Sequence, residues 1–178
     1  MELEHKFHRP EAGLVVTGEA LIEGYASLFG QRDQGGDVVE RGAYAASLAT
    51  LAAAGRRVKM LWQHDPAQPI GIWDEVREDD RGLYVRGRLL PEVARGREAA
   101  ALIGAGALDG LSIGYRVRRA EKSGGGRRLL ELDLWEVSLV TFPMLSTARV
   151  GAKAAPVPEV AAAFDAAARA LAELRATI

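Results

Sequence analysis

No cysteine occurs anywhere in the chain, which excludes a disulfide framework, a thiolate zinc site and a thiol nucleophile. No run of about 18 apolar residues is present to span a bilayer. The first residues, MELEHKFHRPEAG, lack the apolar core of a signal peptide, so the expected compartment is the one where the chain is made, the cytosol. An excess of basic charge is missing as well. The 23 Lys and Arg stand against 24 Asp and Glu, which removes the broad electrostatic footprint of a general nucleic-acid binder. A phosphate-cradling loop is also absent, since GQRDQGGD has no Lys-Ser/Thr and SGGG reads as a hairpin turn. Histidine is scarce: His5 and His8 lie in a polar N-terminal segment, so imidazole acid–base chemistry falls to His64.

What is present is the ordinary mixture of a globular domain, 48% hydrophobic and 26% charged over 178 residues. That length suits one domain of about 100–150 residues with an appendage. Residues 14–29 are β-branched and aromatic-rich, and an irregular Gly- and Asp-rich loop follows. Tyr44, Leu48 and Leu51 recur at helical spacing up to a stop at Gly55. VKMLWQH (58–64) reads as a buried strand entering a loop at Asp65-Pro66. Period-2 alternation over 70–78 and 82–90 predicts an antiparallel pair, and the Ala-rich stretch 97–108 predicts a helix. A second hairpin is expected from 111–119 and 127–142. About six strands with short helices between them, rather than alternating βα units, argue for an α+β fold built on a compact, mostly antiparallel β-barrel. The expected division is a flexible N-terminus at 1–13, a domain at 14–150, a Pro/Ala linker at 151–158 and an amphipathic helix at 159–178. The stripe of that helix is Val160, Phe164, Leu171, Leu174 and Ile178.

Chemistry concentrates in the second hairpin. Strict alternation puts Leu130, Leu132, Leu134, Glu136, Ser138 and Val140 on one face of its second strand, with Glu131, Asp133 and Trp135 on the other. Glu136 is then an acid on a leucine face and needs a donor, since burying an unpaired carboxylate is costly. A turn centred on Gly124 would pair Ser112 with Glu136, and Gly110 and Gly114 flank Ser112, leaving its hydroxyl uncrowded and its backbone approachable. By itself each signal has a bland reading: a small polar strand residue, a loop histidine bonded to Asp65, a structural ion pair. A metal site has only His64, Asp65 and Glu136 to draw on, which is thin without a further His or Cys. Taken together, His64, Ser112 and Glu136 suggest an imidazole base, a serine nucleophile and a carboxylate that fixes the imidazole tautomer.

These residues sit in segments that resemble the prohead (procapsid) maturation proteases of tailed bacteriophages and related gene transfer agents, which are related in fold to the herpesvirus capsid-assembly proteases. The likeness runs over about residues 20–150, through IEGYASLFGQRDQGGDVVERGAYAASL, MLWQHDPAQPIGIW, RGLYVRGRLL, GALDGLSIGYRV and LWEVSLVTFPMLSTARV. The resemblance implies a serine endopeptidase with a compact β-barrel, His64 as its histidine, Ser112 as its nucleophile, and no cofactor or metal. In the herpesvirus enzymes the third member is a second histidine on the strand after the serine strand. Here LWEVSLV has none, so Glu136 is the candidate, with Asp65 and Asp133 as alternatives. The implied substrates are the major capsid protein and a scaffold segment, cleaved inside the assembling prohead in the cytoplasm of the bacterial host, with self-cleavage a further activity. A homodimer is an open arrangement, and neither nucleic acid nor membrane is an expected partner. The rival reading is a non-catalytic capsid-assembly scaffold or chaperone with the same fold.

Overall fold

Short β-branched segments broken by Gly and Asp turns generate a sheet rather than a bundle. The computed structural model describes residues 21–150 in full, together with the backbone of two short strands, β1 (Val15–Val16) and β9 (Lys153–Ala154), which pair in parallel. Between them come β2 (Leu21–Leu28), β3 (Val38–Val39), α1 (Ala45–Ala53), β4 (Lys59–Trp62), β5 (Asp65–Glu78), β6 (Gly82–Leu89), α2 (Ala94–Gly104), β7 (Gly110–Ser123) and β8 (Gly126–Val140). His5, His8, the expected helix over 159–178 and the side chains of the expected linker lie outside the described residues.

The main sheet has seven strands in the order β2-β6-β5-β4-β8-β3, with β7 on the other side of β8. The β5–β6 and β7–β8 hairpins are the two expected from alternation. Pairing is antiparallel except where β8 meets β3 and β4, which run parallel to it. The fold is α+β as expected, and the mostly antiparallel sheet expected as a compact β-barrel is a strongly curled half-barrel. Its two ends, β2 and β7, are joined through the 149–150 segment by the single bridges Gly24↔Val150 and Gly110↔Arg149, and among the described residues no continuous ladder closes it. Inside the curl lie Ile22, Met60, Ile70, Leu83, Leu111, Leu132, Leu134 and Leu139, all fully buried. The helix after β6 begins and ends earlier than the expected 97–108 and buries Gly96, Ala99 and Ile103 on one face.

Strand β8 is the spine, pairing with β7 on one side and with β3 and β4 on the other. Beyond its pairing with β3, its amides at Leu132 and Leu134 donate to the Ala43 carbonyl at 2.9 Å and the Ser47 hydroxyl at 2.9 Å, at the start of α1. Beyond those, β4 takes over from Glu136 to Leu139. The turn of the β7–β8 hairpin is Gly124-Gly125, both at positive φ (44° and 90°), which glycine adopts without steric cost.

Asp79 organises the β5–β6 turn. Its Oδ1 accepts from the amides of Arg81 (2.8 Å) and Gly82 (3.2 Å), and its Oδ2 accepts from the Tyr25 hydroxyl (2.7 Å) and the Arg77 guanidinium (2.8 Å). Partial burial pushes the carboxyl up, but these hydrogen bonds outweigh it and hold the pKa at about 2. A depressed folded-state pKa gives stability that is complete above about pH 4 and is lost as pH falls toward about 2. Asp79→Asn should therefore lower stability at neutral pH by on the order of 1–2 kcal/mol. It should also flatten the acid decline of the urea-unfolding free energy across that window; an unchanged slope would contradict this account.

Candidate active site

One irregularity in β8 decides what the site contains. Gly114 pairs with Glu136 but its neighbour Tyr115 pairs with Leu134, so Trp135 is an extra residue, a β-bulge. The alternation slips by one at that point. Leu132 and Leu134 face the core before the bulge, and Val137 and Leu139 face it afterwards. Glu136 and Ser138 thus leave the leucine face on which strict alternation had placed them. A second slip at Leu130 likewise puts Leu129, not Leu130, into the core.

The expected register of the hairpin is also corrected. Ser112 lies opposite Ser138, and Glu136 lies opposite Gly114, two residues from the pairing inferred from a turn centred on Gly124. A two-residue turn plus the bulge accounts for the difference. Because the shift is even, Ser112 and Glu136 still share a face.

His64 reaches that face from β4. Trp62 pairs with Leu139 in the parallel ladder and with Asp65 across a two-residue turn formed by Gln63 and His64. The loop expected at Asp65-Pro66 is therefore the start of β5, and the turn comes earlier. Both turn residues have positive φ, 51° and 62°, which is uncommon for residues with a side chain. Several bonds hold them there. The Gln63 amide donates to the Leu139 carbonyl (2.9 Å), and the His64 amide donates to the Ser138 hydroxyl (3.0 Å). The Gln63 side chain donates to the Thr141 hydroxyl (2.8 Å) and accepts from the Thr141 amide (3.4 Å).

The imidazole Nδ1 lies 2.6 Å from Glu136 Oε1, and the Ser138 hydroxyl donates to Glu136 Oε2 at 2.6 Å. The His64 side chain is 42% exposed and that of Glu136 only 10%. A carboxylate shielded from water and an imidazole open to it form a pair that can relay a proton to a molecule arriving from solvent. An ionised carboxylate only accepts, so it selects the tautomer with hydrogen on Nδ1 and leaves the Nε2 lone pair available. Ser112 is buried on the same face, and its hydroxyl has no hydrogen bond to His64 or Glu136 among the described residues.

The alternative carboxylates are engaged elsewhere. Asp65 Oδ1 accepts from the Ala67 amide at 2.8 Å, and Asp133 pairs with Arg116 (3.2 Å) and Arg118 (2.5 Å). The flanking glycines do not leave open space. A Cβ at Gly110 would meet the Val140 carbonyl oxygen at 2.4 Å, and one at Gly114 would meet Glu136 Oε1 at 2.0 Å and Cδ at 2.7 Å. Gly114 is the bed on which the carboxylate lies. Sequence reasoning passed over Ser138, Gln63 and this role of Gly114. The available signal was Ser138 at two residues from Glu136. Among the described residues no group of three or more His, Cys, Asp or Glu is placed to hold a metal ion. No helix among them is long and apolar enough to cross a membrane.

A family model described as Caudovirus prohead serine protease matches residues 7–162. The prohead protease of Enterobacteria phage HK97 is 34% identical over 149 residues, 80% of this chain and 65% of that protein. A capsid polyprotein of Pseudomonas phage PAJU2 is 32% identical over 101 residues, 52% of this chain and 15% of the polyprotein. The chain therefore spans slightly less than two thirds of the first relative and a small part of the second. Among solved structures, the bacteriophage T4 capsid assembly protease superposes with a TM-score of 0.60 at 18% identity, covering 74% of this chain and 89% of that one, a likeness of fold.

Gly114→Ala tests the steric bed directly. The added methyl should drive the Glu136 carboxylate away from Nδ1 while the fold survives, at an overpacking cost of about 1–3 kcal/mol. A crystal structure of the variant that retains the 2.6 Å contact would show that Gly114 has no such role.

Proposed function

Since the chain belongs to the Caudovirus prohead serine protease family, we propose that it is a serine endopeptidase that cleaves capsid protein, scaffold protein or both during prohead maturation. The observation that carries the reading is the contact of His64 with a shielded carboxylate on the face that also bears Ser112. On this reading the Ser112 hydroxyl attacks the scissile carbonyl while the Nε2 lone pair of His64 takes its proton. Glu136 keeps the ring in the required tautomer and stabilises the imidazolium as it forms. The imidazolium then protonates the leaving amine, and a water activated by the same ring hydrolyses the acyl-enzyme. Contacts between nucleophile and base are commonly loose in free enzymes and tighten around bound substrate, which suits the present separation of Ser112 from His64.

The names of the relatives supply the substrate class: one is a prohead protease and another a capsid polyprotein. Capsid or scaffold segments inside the assembling prohead, in the bacterial host, are accordingly the proposed substrates, with self-cleavage as a further activity.

Coexpression with the cognate capsid protein, read by mass spectrometry, tests activity and cleavage site together. Ser112→Ala should abolish the processed capsid species with the fold intact, and undiminished processing would refute the reading. Glu136→Gln should lower the turnover rate by about 10²–10⁴-fold with little change in KM. If a fluorophosphonate labels nothing on the folded protein while capsid protein co-purifies with it, the chain is an assembly factor instead.

A further inference from the structure

Ser138 contributes to this site through its hydroxyl, and three observations converge on it. The side chain is fully buried. Its oxygen accepts the His64 amide at 3.0 Å and its hydrogen goes to Glu136 Oε2 at 2.6 Å. Its strand position lies directly across the ladder from Ser112. One hydroxyl thus ties together the main chain of the residue bearing the imidazole and the carboxylate that faces that imidazole.

We infer that Ser138 is a positioning residue of the proposed peptidase, fixing the Glu136 carboxylate and the His64 backbone in one mutual arrangement; this rests on the serine-peptidase reading above. The geometry supplies the reason. Glu136 Oε1 is committed to Nδ1, and Gly114 leaves the carboxylate room without gripping it. Among the described residues, Oε2 has Ser138 as its hydrogen-bond partner, and without it the carboxyl is free to turn about its last bond. The other end of the tether matters equally. His64 sits at φ 62°, a conformation that persists only where surrounding bonds determine it, and its amide is held by the same hydroxyl. Gln63, the preceding residue, is held by its own bonds to Leu139 and Thr141, so the turn keeps its position while its second residue depends on Ser138. Placement of catalytic groups to within a fraction of an ångström has large effects on rate.

The test uses an alkyl fluorophosphonate as probe, since its reaction rate with Ser112 reports activation of the nucleophile without a known substrate. Ser138→Ala should lower the maximal labelling rate by about 10–100-fold while leaving the concentration for half-maximal rate within about threefold. Because Ser138 acts through Glu136, adding Ser138→Ala to Glu136→Gln should cost less than about threefold more. A purely structural role would instead multiply the two losses. The downfield proton resonance of Nδ1–H should also weaken in Ser138→Ala. If Ser138→Ala does not fold, Ser138→Cys replaces it in each measurement: its thiol occupies similar space but donates weakly, and the same rate loss is expected at an unchanged unfolding midpoint. Wild-type labelling by the folded hydroxyl-deficient variant, or multiplicative losses in the double variant, overturns the inference. Failure of the underlying reading looks different, because the unsubstituted protein would then take no adduct, or Ser112→Ala would carry one equally well.

Discussion

The extra residue at Trp135 is the constraint on which the site depends. Unbroken alternation from Leu132 and Leu134 would send Glu136 and Ser138 into a hydrocarbon interior, where a carboxylate has no donors and burial costs several kcal/mol. With the bulge, Val137 and Leu139 fill the core and the two polar residues emerge beside Ser112 and Gly114. The extra residue itself, Trp135, stays on the outer face and is 62% exposed. An exposed tryptophan is usually a cost without a return. Here it accompanies a reversal of strand polarity within two residues, and bulges are found where a side chain must be re-aimed.

Around the carboxylate the structure divides labour by atom. Oε1 faces the imidazole, Oε2 faces a hydroxyl, and the flank that would hold a Cβ at position 114 is left vacant for the group itself. Each oxygen of this shielded carboxylate therefore has its own hydrogen-bonding partner. At Asp37, in the loop just before β3, the Arg127 side chain likewise donates to both carboxylate oxygens, and this contact outweighs burial to hold the carboxyl below its ordinary range. The difference is exposure of the partner's reactive atom. Arg127 spends itself on the ion pair, whereas His64 keeps one ring nitrogen for something else.

Much of this architecture was legible because it is local. The hairpins at 70–90 and 111–142 announce themselves by period-2 alternation around Asp79-Asp80-Arg81 and the glycine run. His64, Ser112 and Glu136 could be grouped on chemical grounds even though the assumed register was off by two, since an even slip preserves the face. What escaped was non-local or aperiodic. Nothing in the residues around Trp135 marks a bulge, and Gln63-His64 lacks the Asn or Gly that normally signals a turn with positive φ. The parallel pairing of β4 with β8 leaves no trace in either segment alone. Ser138 could be read from its spacing as a neighbour of Glu136, but not as a partner of the His64 amide, because that bond crosses the parallel pair.

Parallel neighbours also set an order of events. Strands β4 and β8 cannot be joined by a tight turn, and the chain between them carries β5, β6, α2 and β7. His64 and Glu136 are 72 residues apart in sequence, whereas the β4–β5, β5–β6 and β7–β8 hairpins are contacts between adjacent elements. Contacts of long sequence separation bear the larger loop-closure cost and slow the folding of sheets that rely on them. A chain still leaving the ribosome, or one with its sheet half built, therefore holds its imidazole and its carboxylate on separate pieces. The topology works as a clock, keeping the pair apart until the last strand of the sheet has found its place.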